Sequence, residues 1–90
     1  MENIILPNEF SSYRHFCLVL IEKIFTEKQI PLTIFEWDEE SDFTRRIFIT
    51  TEDGRQYVIR TWNIHDDDEN VYVDFTLYLE DTEFDTIFEV

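Results

Sequence analysis

The pattern of apolar residues between positions 8 and 28 predicts an amphipathic helix. Apolar side chains recur there every three or four residues, which places them on one face of a helix. Asn8 and Ser11 are both suitable N-caps, and Pro31 prevents the helix from continuing far beyond Lys28. We therefore predict a helix from about Asn8 or Ser11 to Lys28, preceded by a short lead-in that ends at Pro7. Its apolar face comprises Phe10, Tyr13, Phe16, Cys17, Leu20, Ile21, Ile24 and Phe25.

Four stretches after the helix have the composition of strands, at residues 32–37, 43–51, 57–64 and 71–79. The last of them alternates strictly between apolar and other side chains, as a half-buried strand does. Residues 80–90 fit either a short helix or a fifth strand, and we expect a short strand or an extended tail. The apolar members of the alternating stretch are Val71, Val73, Phe75, Leu77 and Leu79.

The second and third predicted strands are joined by Glu52-Asp53-Gly54-Arg55, which is a strong hairpin signal. A two-residue loop at Asp53 and Gly54 would pair Ile47 with Arg60 and keep like charges apart. A three-residue loop with a bulge at Gly54 would instead pair Arg46 with Arg60. We expect the two-residue loop, because this tetrapeptide suits a tight primed turn. The three-residue loop has the cleaner apolar face, formed by Ile47, Ile49, Tyr57 and Ile59.

These elements predict a single α+β domain over residues 1–90, in the order α-β-β-β-β. The helix is expected to lie across one face of a four-stranded antiparallel meander, or of a five-stranded one if the tail adds a strand. Alternate turns of a meander lie at the same end of the sheet. We therefore expect the turns at residues 38–42 and 66–70 to lie close together, with the acids of the tail at the opposite end.

The charge of the chain is far from zero, with a formal net charge of −14 on 90 residues. Its last third, residues 61–90, contains ten acids and no lysine or arginine. Solubility of a small domain requires a net charge of only about 2–8 in magnitude, so the excess indicates a cationic partner. Nucleic acid and anionic membranes would be repelled, and we expect this protein to bind neither directly. An apolar content of 43% indicates a folded domain and not a disordered acidic tail.

Several kinds of chemistry find no support in the sequence. Asp66, Asp68 and Asn70 imitate the first positions of a calcium loop, but Val71 stands where that loop needs glycine and Leu77 where it needs glutamate. There is no glycine-rich phosphate loop, nucleophile elbow or Cys/His metal spacing. We predict that the protein is not an enzyme and holds no metal or cofactor. The single cysteine, the absence of a signal peptide and the lack of a membrane-length apolar run predict a soluble cytoplasmic protein.

The candidate binding residues are the acids of the two turns together with aromatic residues near them. Tyrosine and tryptophan supply buried area in protein interfaces, whereas carboxylates steer and select a basic partner. Arg45, Arg46 and Arg60 are expected to form internal salt bridges that relieve the negative field, and so is Arg14. The predicted partner-binding residues are Glu36, Trp37, Asp38, Glu39, Glu40, Asp42, Trp62, Asp66, Asp67, Asp68, Glu69, Tyr72 and Asp74.

In size, in its excess of Asp and Glu, in its single cysteine and in the run Asp66-Asp67-Asp68-Glu69, the chain resembles small acidic inhibitors encoded by bacterial viruses. These are the anti-CRISPR proteins and the DNA-mimic anti-restriction proteins. The resemblance implies a protein that acts in a bacterial host cell and occupies the cationic nucleic-acid cleft of a nuclease. In a CRISPR effector nuclease, the implied target is the Arg/Lys site that reads the PAM duplex or holds DNA. An immunity protein or antitoxin that caps a basic toxin nuclease is the alternative, followed by an acidic adaptor with no inhibitory role.

Overall fold

The computed structural model describes residues 2–39, 45–81 and 86–89, which form one helix and six strands. All strand pairs are antiparallel, and the strands belong to a single sheet. The elements in chain order are β1 (Glu2–Pro7), α1 (Tyr13–Glu27), β2 (Ile34–Glu39), β3 (Arg46–Thr51), β4 (Gln56–Asp66), β5 (Asn70–Asp81) and β6 (Thr86–Glu89).

The sheet has the strand order β1-β5-β4-β3-β2, with β6 also paired to β5. From β2 to β5 the strands follow one another as a meander. The long strand β5 has β4 on one side and two short strands in succession on the other. Its first half, Asn70 to Phe75, pairs with β1, and its last residues, Tyr78 to Asp81, pair with β6. The first and last described strands of the chain therefore share one edge of β5.

The prediction of an α-β-β-β-β order on a four-stranded meander is wrong, because the lead-in before the helix is a strand. Ile4 and Leu6 of β1 point into the core and are only 3% and 1% exposed, whereas Ile5 between them is 51% exposed. This alternation is that of a half-buried strand. The partner of β1 is β5, near the other end of the chain, so the local sequence pattern cannot predict this pairing.

The helix α1 begins after Ser12, whose hydroxyl accepts a hydrogen bond from the backbone N–H of His15 at 3.1 Å. The predicted N-caps Asn8 and Ser11 are therefore wrong. The helix ends at Glu27 with Lys28 as its C-cap, and the next residue, Gln29, adopts a left-handed conformation with φ of 58° and donates its N–H to the Thr26 carbonyl. One face of α1 packs on one face of the sheet, which makes a two-layer core. The buried helix residues are Phe16, Cys17, Leu20, Ile21, Ile24 and Phe25.

The hairpin between β3 and β4 has a three-residue loop, so the expected two-residue loop is wrong. Arg46 faces Arg60 directly, and Gly54 adopts a left-handed φ of 84°. This register places four large apolar side chains toward the helix, each worth about 1.5–3 kcal/mol when fully buried. Unfavourable cross-strand pairs cost less, about 0.2–1 kcal/mol. Burial therefore decides the register, through Ile47, Ile49, Tyr57 and Ile59, which are all at most 4% exposed.

Within the described part of the chain, no helix combines the length and the apolar character that crossing a membrane requires.

Candidate functional site

The sheet has one face covered by α1 and one open face, and several predicted binding residues lie on the open face. Directly opposite residues of an antiparallel pair share a face. Trp62 of β4 is opposite Asp74 of β5, and Tyr72 lies two residues from Asp74 on the same face. Glu36 and Asp38 occupy the open face at the other side of the sheet, on the edge strand β2. The structure therefore separates two groups of acids by the width of the intervening strands.

Asp74 is held in place by two amide side chains from neighbouring strands. Asn3 of β1 donates to its carboxylate at 2.8 Å, and Asn63 of β4 donates at 3.3 Å. These bonds, that from Asn3 foremost, hold the pKa of Asp74 below the ordinary value of an aspartate. Asp74 is thus a fixed negative charge at neutral pH whose orientation is set by the sheet.

The open face also carries arginine side chains that lie on aromatic rings, which the sequence did not suggest. The Arg60 guanidinium carbon is 4.6 Å from the ring centre of Trp62, and that of Arg46 is 5.7 Å from Phe48. Cation–π contacts of this kind explain how Arg46 and Arg60 can stand opposite each other. Of the salt bridges predicted for arginines, the structure confirms that of Arg14, which bonds Glu39 at 2.7 Å.

The tip of the β4–β5 hairpin is the second part of the site, and Asp67 determines its shape. Its carboxylate accepts hydrogen bonds from the backbone N–H groups of Glu69 at 2.8 Å and of Asn70 at 2.7 Å. The Tyr72 hydroxyl donates to the same carboxylate at 3.2 Å. The N–H of Asn70 is the main cause, followed by that of Glu69, of a lowered pKa of Asp67. Asp67 is therefore a structural acid of the turn.

The remaining tip acids, Asp66, Asp68 and Glu69, are exposed. Asn8, which follows β1, ties this tip to the body of the protein. Its backbone N–H donates to the Glu69 carbonyl at 3.0 Å, and its side-chain amide donates to the Asp67 carbonyl at 2.9 Å. The tip thus displays three exposed carboxylates on a backbone that hydrogen bonds from Asn8 and to Asp67 hold in place.

Among the described acids, those of β2 are well separated along the sheet from those of the hairpin tip. Following the residue pairs across the sheet from Glu39 of β2 leads to Leu77 of β5, whereas Asp66 of the hairpin pairs with Val71 of β5. Val71 and Leu77 are six positions apart along β5, which is about 20 Å at roughly 3.3 Å per residue. Because β4 and β5 are about twice as long as β2 and β3, the hairpin tip projects beyond the end of β2. The expected approach of the turn at residues 38–42 to the hairpin tip depends on residues 40–44, which lie outside the part of the chain that the structure describes.

Trp37 and Glu39 lie on the face of β2 that is turned toward α1. The Arg14 guanidinium carbon is 4.1 Å from the ring centre of Trp37, and the same side chain forms the ion pair with Glu39. These two predicted binding residues therefore already have partners within the protein. Glu40 and Asp42, which were also predicted to bind, lie outside the described residues.

Over residues 2–39, 45–81 and 86–89, no group of three His, Cys, Asp or Glu side chains converges in a way that could hold a metal ion. Comparison with protein-family models, with curated proteins and with solved structures finds no match to this chain.

Proposed function

We propose that this protein is a non-enzymatic acidic inhibitor that occupies the cationic nucleic-acid cleft of a nuclease, as a DNA mimic of the anti-CRISPR type. The observation that carries the proposal is the hairpin tip. It presents Asp66, Asp68 and Glu69 to solvent at the end of the two longest strands, and Asp67 and Asn8 fix its backbone. Carboxylates fixed in this way can bond Arg and Lys side chains without the ordering cost of a flexible tail.

The ion pairs of the described residues lie away from the hairpin tip. Lys28, Arg55 and Arg14 form ion pairs with Glu2, Asp53 and Glu39, all away from the tip. Among the described side chains, no lysine or arginine forms an ion pair with an acid of the tip. Within the described residues, the acids of the tip therefore remain available for a cationic partner. A basic cleft would meet this end first, because opposite potentials steer the encounter.

The test is displacement of labelled duplex DNA from a panel of purified CRISPR effector nucleases. The wild-type protein should compete with DNA for at least one of them, and the competition should weaken as salt is raised. The variant Asp66→Asn, Asp68→Asn, Glu69→Gln should compete more weakly, by on the order of tenfold or more. This follows because hydrogen bonds to charged groups are worth about 1.5–3 kcal/mol when buried in an interface.

A variant with the same change of net charge serves as the matched control. Glu22, Glu27 and Glu52 are exposed and lie away from the tip, on the helix and in the β3–β4 loop. Their replacement by glutamine removes three charges as well and should leave competition within about threefold of wild type, the range of long-range electrostatics in salt. Equal weakening by both variants would show that only net charge matters and would contradict a site at the tip. Failure of the wild-type protein to displace DNA from any nuclease of the panel would reject the proposed function.

A further inference from the structure

Beside the acidic tip lies a groove with an apolar floor. It runs between the start of α1 and the projecting part of the β4–β5 hairpin, and its volume is about 290 Å³. The overhang of the hairpin creates it, because β3 begins at Arg46, opposite Arg60, and the hairpin continues for six residues of β4 beyond that point. The groove is lined by Asn8, Phe10, Tyr13, Phe16, Arg45, Ile64, His65, Asp66 and Val71.

The floor of the groove is the part of the hydrophobic core that reaches the surface at this end. Phe10, Tyr13 and Ile64 are partly buried and pack against the core, and Phe16 and Val71 beneath them are 7% and 5% exposed. The rings of Phe10 and Phe16 meet edge to face with centres 5.2 Å apart. An apolar concavity with aromatic walls is a suitable place for a large side chain of a partner.

Both walls of the groove are held by hydrogen bonds of the main chain. On one side, Asn8 is bonded to the carbonyl groups of Asp67 and Glu69. On the other, the Arg45 carbonyl accepts bonds from the N–H and the hydroxyl of Thr61, at 3.1 and 3.0 Å. A groove that already has its shape binds with little reorganisation, which lowers the cost of association.

We propose that this groove is the anchor site for an aromatic side chain of the partner, flanked in that partner by lysine or arginine residues. The inference rests on the proposed function and specifies the contact surface that it needs. A groove of about 290 Å³ lies at the lower end of small-molecule sites, which are roughly 300–1,000 Å³, and suits one side chain. The flanking cations follow from the carboxylates of Asp66, Asp68 and Glu69 at the rim. A second copy of this chain is disfavoured, because it carries the same charge of −14.

The side chains of the groove favour an aromatic anchor over an aliphatic one. Arg45 lines the groove together with the aromatic floor, whereas the His65 ring is stacked on Tyr72 with the ring centres 5.1 Å apart. A ring placed in it can therefore make edge-to-face contacts with Phe10 and offer its face to the guanidinium of Arg45. An aliphatic side chain would gain only the buried area.

The test uses two short peptides of equal charge, acetyl-Lys-Lys-Trp-Lys-Lys-amide and acetyl-Lys-Lys-Gly-Lys-Lys-amide, titrated into labelled protein and followed by NMR. The tryptophan peptide should bind on the order of tenfold more tightly, which corresponds to about 1.4 kcal/mol. It should also shift the methyl resonances of Ile64 and Val71 in the wild-type protein, a measurement that depends on no variant. Equal binding of the two peptides, or shifts confined to the open face around Phe48 and Trp62, would overturn the inference.

Two matched variants test whether the tryptophan side chain binds in the groove or on aromatic residues elsewhere on the surface. Phe10→Leu removes an aromatic ring from the groove floor and should abolish the advantage of the tryptophan peptide. Phe48→Leu makes the same change on the open face, where Phe48 is 37% exposed, and should preserve that advantage. Loss of the advantage in Phe48→Leu, or its survival in Phe10→Leu, would refute the groove as the anchor site.

The same variants distinguish failure of this inference from failure of the proposed function. The tip variant Asp66→Asn, Asp68→Asn, Glu69→Gln should weaken both peptides equally, because it removes only charge. If wild type competes with DNA for a nuclease and Phe10→Leu competes equally well, the groove inference falls and the inhibitor proposal stands. If wild type displaces DNA from none of the nucleases yet the tryptophan advantage is present and maps to the groove, the inhibitor proposal falls and the anchor site stands.

Discussion

Strand β1 offers a sharp test of the fold, because two adjacent residues have opposite environments. Leu6 is 1% exposed and lies in the core, whereas Ile5 is 51% exposed on the open face. Replacing Leu6 by alanine should therefore lower the free energy of unfolding substantially. The same replacement of Ile5 should change it by about 0.5 kcal/mol, as is usual at surface positions.

The magnitude for Leu6→Ala follows from what the substitution removes. Three carbon atoms leave a site that is sealed from water, and each is worth about 0.8 kcal/mol of transfer free energy. The cavity left behind adds to this loss, and measured core Leu→Ala changes cost about 2–5 kcal/mol. A domain of this length has roughly 5–13 kcal/mol of stability in total. The substitution should therefore remove at least about 15% of that stability.

Urea denaturation followed by tryptophan fluorescence measures the effect, since both Trp37 and Trp62 lie in the sheet. With a dependence of about 1 kcal/mol per molar urea, the midpoint for Leu6→Ala should fall by about 3 M. If this variant does not fold, Ile4→Val is the milder change and should cost about 0.5–1.5 kcal/mol. Equal effects of Leu6→Ala and Ile5→Ala would refute the placement of β1 in the sheet.

Three further predictions concern the turns and the acids. Gly54 has a φ of 84° with no atom close to where a Cβ would stand, so Gly54→Ala should cost about 1–2 kcal/mol through backbone strain alone, measured by urea denaturation. The pKa values of Asp67 and Asp74 are lowered from 3.8, so the stability they contribute is present above that pH and lost as the pH falls through their folded values. Melting at about pH 6 and about pH 3 should show a smaller acid-induced loss for Asp74→Asn than for wild type. Finally, Asp67→Ala should speed amide exchange at Asn70 whereas Asp68→Ala, with the same change of charge, should not; equal exchange would contradict the role of Asp67.

The sequence predicts the elements whose signal is local. The helical spacing of apolar residues and the strict alternation from Val71 to Leu79 correspond to α1 and to most of β5. Strand β1 has no comparable signal, since Ile4, Ile5 and Leu6 form a short run that ends at a proline. Its identity depends on pairing with β5, a contact between distant parts of the chain. Periodicity within a short window cannot represent such a contact.

The predicted hairpin register is wrong because it follows the local turn signal of Glu52-Asp53-Gly54-Arg55, whereas burial decides the pairing. Separation of Arg46 from Arg60 agrees with the two-residue loop as well, but a cross-strand charge pair is worth at most about 1 kcal/mol. Burial of four apolar side chains on one face is worth several times more. The aromatic rings beside each arginine reduce the cost further, and their positions follow only from the correct register.

The sequence proposes residues for the candidate site but does not give their arrangement. Strand lengths decide where turns lie, and the sequence does not show that β4 and β5 extend far beyond β3. The acids of β2 are therefore separated from the hairpin tip, and Trp37 and Glu39 are engaged by Arg14. The groove under the hairpin depends on the same overhang, so no pattern of residues could have indicated it.

The four consecutive acids of the hairpin tip are not interchangeable, and this changes how the tip must be tested. Asp67 organises the turn with its carboxylate, whereas Asp66, Asp68 and Glu69 point into solvent. Neutralising all four would remove charge and unfold the turn at once, so a loss of binding could not be assigned to either cause. Keeping Asp67 preserves the geometry of the turn, so that replacing Asp66, Asp68 and Glu69 removes only their charges. An effect of the remaining three substitutions on binding then measures what the exposed carboxylates contribute to recognition of a basic partner.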